Sequence, residues 1–285
     1  MPALPRNLAA LALAGLLAGC AAKRTTRAPW AGPTEPMDVV VARINERNVR
    51  IDKLRGEGRF EADLVDPRTK KHEPGDGDIT LMYMPRRSLF IRGRVLGQDV
   101  FRIGSNDERF WLILKMQDTM YWGEHRLVGG ARLRELPVRP DLLAEVLAVG
   151  PIEADLLKQP TPVMRFNNDQ HAYMFTWNVQ LSDRWAVQKE VWYDRETLLP
   201  KLVLLFDENG RIVLRAYLQR PVDAEGFDAP VKVASVYDMY FPDTGSKFRM
   251  EFDEWKRENR GAPSPRTFNY PGDDPGVSNV VPLDE

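Results

Sequence analysis

The chain has one cysteine, Cys20, and it directly follows Leu17-Ala18-Gly19 at the end of a short apolar run from Leu8 to Leu17. A charged start (the amino terminus and Arg6), an apolar stretch and small residues together make an export signal, cut beside the small residues. The run is too short for a membrane-spanning helix, which needs about 20 apolar residues. The chemistry this spacing offers is therefore that of a single thiol at a new amino terminus. An exported chain with no second cysteine has neither a disulfide framework nor a cysteine-based metal site. The other candidates are sparse. His72, His125 and His171 are far apart in sequence, which predicts surface or turn positions rather than ligands. Asp76 and Asp78 flank Gly77 like a fragment of a calcium loop, but the remaining ligands of such a loop are missing. Asp273-Asp274 reads as a solvated turn. There is no nucleophile elbow, no paired-histidine zinc motif, no P-loop and no dinucleotide fingerprint. These absences predict a protein that is not an enzyme and holds no metal or dissociable cofactor.

The segment Leu17-Ala18-Gly19-Cys20 resembles the signal of bacterial lipoproteins. The resemblance implies that the Cys20 thiol is diacylated, that the peptide 1–19 is removed, and that the new amino terminus is acylated. One acyl chain holds a protein only marginally, whereas several make attachment effectively permanent. In related bacteria the next residue directs sorting, and Ala21 in place of Asp implies the outer membrane, with the body facing the periplasm. Residues 20–36, rich in Pro, Ala and Thr, read as a lipidated tether. Lys23, Arg24 and Arg27 either rest on anionic headgroups, each contributing about 1 kcal/mol, or are simply solvated. The formal net charge of −1 and a pI near 6.4 give no electrostatic reason to expect nucleic acid as a partner.

The elements beyond the tether follow from hydrophobic period. Val40, Val41, Ile44, Val49 and Ile51 recur on one helical face after Pro36, predicting a helix that ends near Asp52. From Leu54 the period becomes two: Phe60, Ala62 and Leu64; Ile79, Leu81 and Tyr83; Leu89, Ile91 and Val95; Phe101 and Ile103; Phe110, Leu112, Leu114 and Met116. Turns fall at 85–87, 96–97 and 105–107, and residues 66–78 read as a polar loop. A second helical stretch is predicted over 140–149. Alternation resumes at Tyr173, Phe175, Trp177, Val179 and Leu181, and continues through 202–206, 212–218, 231–241 and 248–252, with Asp207-Glu208-Asn209-Gly210 as a hairpin turn. The Pro-rich tail, 261–285, is either loose or draped over the body.

About a dozen antiparallel strands with one apolar face each must bury that face, and two helices cannot cover so many. The expected fold is mainly β: a curled antiparallel sheet forming a half-open barrel, spanning 37–260, with the helices as a lid over an apolar cavity. In this order of elements the chain resembles the LolA and LolB lipoprotein-handling group. The resemblance is carried by Leu89 to Ile103 as a strand, protruding loop and next strand, where the family has an exposed leucine before a glycine, here Leu96 before Gly97. It is also carried by Leu142 to Gly150 as the central helix, by Phe248 to Trp255 as a last strand with a late tryptophan, and by Leu54 to Phe60 as the first strand. It implies a non-catalytic outer-membrane protein that binds acyl chains, accepts lipoproteins from a periplasmic LolA-like carrier, and inserts them into the membrane through a loop at Leu96 and Gly97. Candidate cavity-lining residues are Leu89, Ile91, Phe101, Ile103, Phe110, Leu112, Tyr173, Phe175 and Trp177. A lipid or glycolipid carrier of the same fold, and a structural lipoprotein that docks envelope partners on its sheet, remain open.

Overall fold

The structure is a computed structural model that describes residues 28–125, 133, 136–258, 265–272 and 276–283. Cys20, the basic residues of the tether and Asp273-Asp274 lie outside the described residues. The body is one sheet of fourteen strands: β1 (Leu54–Val65), β2 (His72–Met84), β3 (Ser88–Val95), β4 (Gln98–Ser105), β5 (Arg109–Leu114), β6 (Thr119–Glu124), β7 (Thr161–Asn167), β8 (Ala172–Gln180), β9 (Trp185–Asp194), β10 (Pro200–Phe206), β11 (Ile212–Asp223), β12 (Lys232–Phe241), β13 (Ser246–Lys256) and β14 (Asn279–Pro282). Its order is β14-β6-β5-β4-β3-β2-β1-β13-β12-β11-β10-β9-β8-β7. Two antiparallel meanders, β1–β6 and β7–β13, therefore meet along β1 and β13, where Phe60 faces Met250 and Ala62 faces Phe248. The sheet is curled and unclosed, a mainly β half-open barrel, with β14 and β7 as its edges.

Helix α1 (Met37–Asn48) and the short helix α2 (Leu143–Val146), entered through a 3₁₀ turn at Pro140–Leu142, cover the inner face. Helix α1 stops at Asn48, short of the predicted end. The Asn48 amide turns inward to donate to the Gly150 carbonyl at 2.8 Å, and the chain leaves the axis there. Helix α2 is shorter than its apolar pattern because Ala148 takes a left-handed backbone (φ 51°). Val40, Val41, Ile44, Leu143, Val146 and Leu147 pack into one core with the inner residues of the sheet.

The segment 66–78 is mostly strand rather than loop. β1 and β2 pair out to Val65 and His72, leaving only 66–71 as the turn. Residues 72–78 of β2 are solvated on both faces, so they carry no apolar alternation that would mark a strand. At the far end of the same meander, on the outer face of β5 and β6, Trp111, Ile113 and Met120 are covered by the tail through Tyr270 and Val277. β14 then pairs parallel with β6. The described part of the tail is thus draped over the sheet.

Candidate functional site

The inner face of the half-barrel is apolar along the sheet from β5 round to β8. Leu89, Ile91, Ile103, Leu112, Tyr173, Phe175 and Trp177 lie in a single buried cluster with the lid residues of α1 and α2. Register places them side by side: Ile91 faces Ile103, which faces Leu112, while Tyr173 faces Tyr193 and Phe175 faces Val191. Phe101 is partly buried against the cluster, in an aromatic group with Phe60 and Phe248 at ring separations of 5.1 and 5.9 Å. Gly93 opposite it makes room, since a Cβ there would sit 2.1 Å from the Phe101 ring. Phe110 shares the inner parity but packs in a separate cluster with Leu133, Leu136 and Leu283 at the end of the sheet. Eight of the nine wall candidates are thus brought together and one is set apart.

The lid is fastened by a few polar ties. Asn45 exchanges two hydrogen bonds with the backbone of Ile152, each 2.8 Å, and Asn48 holds Gly150, so α1 is tied to the segment after α2. Arg47 donates to the Leu198 carbonyl at 2.9 Å in the β9–β10 turn, and Arg257 clamps Asp52 with two bonds of 2.9 Å. The tie to the wall itself is ionic. Lys189 of β9 points inward, lies 4.7 Å over the Trp177 ring and donates to Glu145 of α2 at 2.7 Å. Lys189 holds the Glu145 carboxyl below its usual range in spite of burial. Burial, with Glu145 close by, pushes the Tyr83 phenol up to about 12. The sequence pattern did not single out Lys189 or Glu145. The available signal was a lysine at the parity of Val191 and Tyr193, which is the buried side of its strand.

Leu96 and Gly97 form the two-residue turn between β3 and β4, with Val95 paired to Gln98. Both have positive φ, 49° and 80°, which makes the turn type I′. Leu96 is 99 % exposed. Asn or Gly is the ordinary occupant of its position, because a left-handed backbone strains a residue with a bulky side chain.

His72 contacts Asp63 at 2.9 Å on the surface. His125 meets the Ser105 hydroxyl at 3.0 Å, and that serine is fully buried. His171 sits in the β7–β8 turn, one of its two expected settings, and is buried there. Among the described residues, no group of three or more His, Cys, Asp or Glu gathers to hold a metal, and no helix is long and apolar enough to cross a membrane.

No family model and no curated relative matches this chain in sequence. Among solved structures, the chain is similar to a DUF1329 family protein from Desulfovibrio piger at 11 % identity, over 80 % of this chain and 95 % of that one, with a TM-score of 0.49. It is similar to a candidate outer membrane lipoprotein-sorting protein domain from Vibrio parahaemolyticus at 13 % identity, over 80 % and 94 % of the two chains, with a TM-score of 0.49. It is also similar to a LolA superfamily protein from Nitrosomonas europaea at 11 % identity, over 81 % and 97 %, with a TM-score of 0.45.

Proposed function

We propose that this protein is an acyl-chain carrier anchored by lipid at Cys20 in the outer membrane, which accepts lipoproteins from a soluble LolA-like carrier and releases them into the bilayer without making or breaking a bond. The observation that carries the reading is the apolar inner wall, roofed by a lid whose own apolar residues fill it. An acyl chain that displaces Val40, Val41 and Ile44 exchanges one buried apolar surface for another, so the hydrophobic term nearly cancels; each buried CH₂ is worth about 0.8 kcal/mol in either state. What remains to be broken is the small set of ties at Arg47, Asp52 and Glu145, each worth about 0.5–1.5 kcal/mol net. Loading and release are then governed by small differences, as a relay between a soluble carrier and a bilayer requires. Leu96 supplies the contact with lipid at the moment of delivery.

The test is mass spectrometry of the protein extracted natively from membranes, joined to a binding titration with a fluorescent fatty acyl probe. Acyl mass on Cys20 and a co-extracted lipopeptide support the full reading. A co-extracted lipid or glycolipid moves the cargo to a lipid-carrier role. Absence of saturable probe binding by a folded protein overturns the carrier in favour of a docking module. Phe175→Glu places a charge on the wall and is expected to abolish probe binding, with circular dichroism showing whether the fold survives.

A further inference from the structure

The linker does not leave the body freely. The Trp30 backbone N–H donates to the Asn168 carbonyl at 2.9 Å in the β7–β8 turn. Its ring lies under the Arg195 guanidinium, 3.7 Å away, and 6.1 Å from the His171 ring. His171 donates from Nε2 to the Ala28 carbonyl at 2.7 Å. That ring is 6 % exposed, and its Nδ1 has no partner among the described residues, so the one hydrogen bond of a buried imidazole is spent on the linker. Arg195 opens the β9–β10 turn, and its N–H donates to the His171 carbonyl at 2.9 Å, which joins the two turns into one platform. Further along, the Glu35 N–H donates to the Tyr173 hydroxyl at 3.0 Å, and Glu35 pairs with Arg43 of α1.

We propose that the β7–β8 and β9–β10 turns form an intramolecular docking site for the linker, with Trp30 as its ligand, and that this site sets how far the barrel stands from the membrane. The second half of the proposal rests on the lipid anchor at Cys20. A cation over an indole face is worth about 0.5–2 kcal/mol, more than a typical surface ion pair. A tryptophan in a Pro- and Thr-rich linker has no core of its own to enter, and left free beside a bilayer it favours the headgroup layer. The platform gives it an alternative partner on the protein. Eight residue steps separate Cys20 from Ala28, so with the site occupied the platform stays within roughly 26–29 Å of the acylated cysteine, at about 3.3–3.6 Å per extended residue. With Trp30 released, the next hold is Glu35, fifteen steps from Cys20, and the ceiling rises to roughly 50–54 Å. The site is thus a two-length tether that keeps the β7–β8 end of the sheet near the lipid surface.

The test uses the full chain, acylated, in vesicles of phosphatidylethanolamine and phosphatidylglycerol with acceptor-labelled headgroups. Because the acylated Cys20 offers no thiol, Asp169→Cys on the exposed turn takes a single donor dye. Time-resolved energy transfer then reads the spread of distances to the surface, and hydrogen exchange reads protection of residues 28–36. In the parent tether the distances are expected to stop at about 35 Å, the contour ceiling plus the dye linker. Trp30→Ala is expected to raise exchange at residue 30 at least tenfold and extend the distances toward about 50 Å, and Trp30→Phe to restore much of both. Unchanged exchange in Trp30→Ala overturns the docking site. Faster exchange with unchanged distances overturns its control of reach. A chain without acyl mass at Cys20 overturns the anchor and the reach together, while the exchange measurement still decides the docking contact.

Discussion

Replacing Leu96 by Asn separates stability from delivery, because the two should move in opposite directions. Leu96 is 99 % exposed and touches little of the fold, so its removal costs almost no buried area. It occupies the first position of a type I′ turn with φ at 49°. A left-handed backbone costs a residue with a Cβ about 1–2 kcal/mol, and Asn escapes part of that cost. Recovering about 1 kcal/mol corresponds to a rise in Tm of about 2–4 °C for a chain of this size. The same substitution removes an apolar group whose transfer to lipid contributes about 1.5–3 kcal/mol. If delivery uses that contact in full, the rate of cargo release into liposomes falls about 10- to 150-fold, at 1.4 kcal/mol per decade. Leu96→Glu should slow release at least as much without the gain in Tm. The assay pairs a thermal melt with transfer of a fluorescent lipopeptide to liposomes. A lower Tm in Leu96→Asn would mean that the leucine is held by contacts within the fold, and unchanged transfer would remove the loop from delivery.

The lid carries a pH signature. Glu145 faces Lys189 and Tyr193 of β9, Tyr83 of β2, Arg87 of the β2–β3 turn and His125 after β6. Its folded pKa is depressed below the ordinary 4.5, so its stabilising contribution is complete above that value and is lost as pH falls through the folded pKa. Both side chains are partly exposed, which limits the contribution to about 1 kcal/mol; acyl-probe uptake should quicken as the pH falls below the ordinary carboxylate range, and Lys189→Met should show fast uptake at pH 7 with the acid dependence gone. Tyr237 is fully buried with its hydroxyl unpartnered among the described residues, and burial raises its pKa. Tyr237→Phe should therefore leave Tm unchanged or higher, and a loss above about 1 kcal/mol in denaturant would reveal a hidden hydrogen bond to water. Tyr270→Ala should uncover Trp111 and Trp122, whose rings lie 5.8 and 5.5 Å from it, shifting tryptophan emission to the red and lowering stability by about 1–3 kcal/mol, as read by fluorescence and urea titration.

Period-two alternation by itself determined the fold class and most strands, because a strand buried on one face writes that burial into its odd or even positions. Phe60, Ile91 and Phe175 are inward for the reason their spacing states. The Leu96-Gly97 turn was equally legible, since the glycine permits the reversal and the leucine falls off the core parity. Strands β6, β7, β9 and β14 were not. β9 carries Gln188, Lys189 and Glu190 among its apolar residues, β7 is an edge with Arg165 and Val163 outward, and β14 has four residues. Only the tertiary structure decided that β1 pairs with β13, that Phe110 is capped apart from the wall, and that the outer face of β5 is buried under the tail. It alone brought Glu145 to Lys189 across 44 residues and Trp30 to His171 across 141. Periodicity is a local consequence of one residue's own burial, and a chain must encode it everywhere. A contact between distant residues depends on where the whole sheet curls, and neither partner carries a mark of the other.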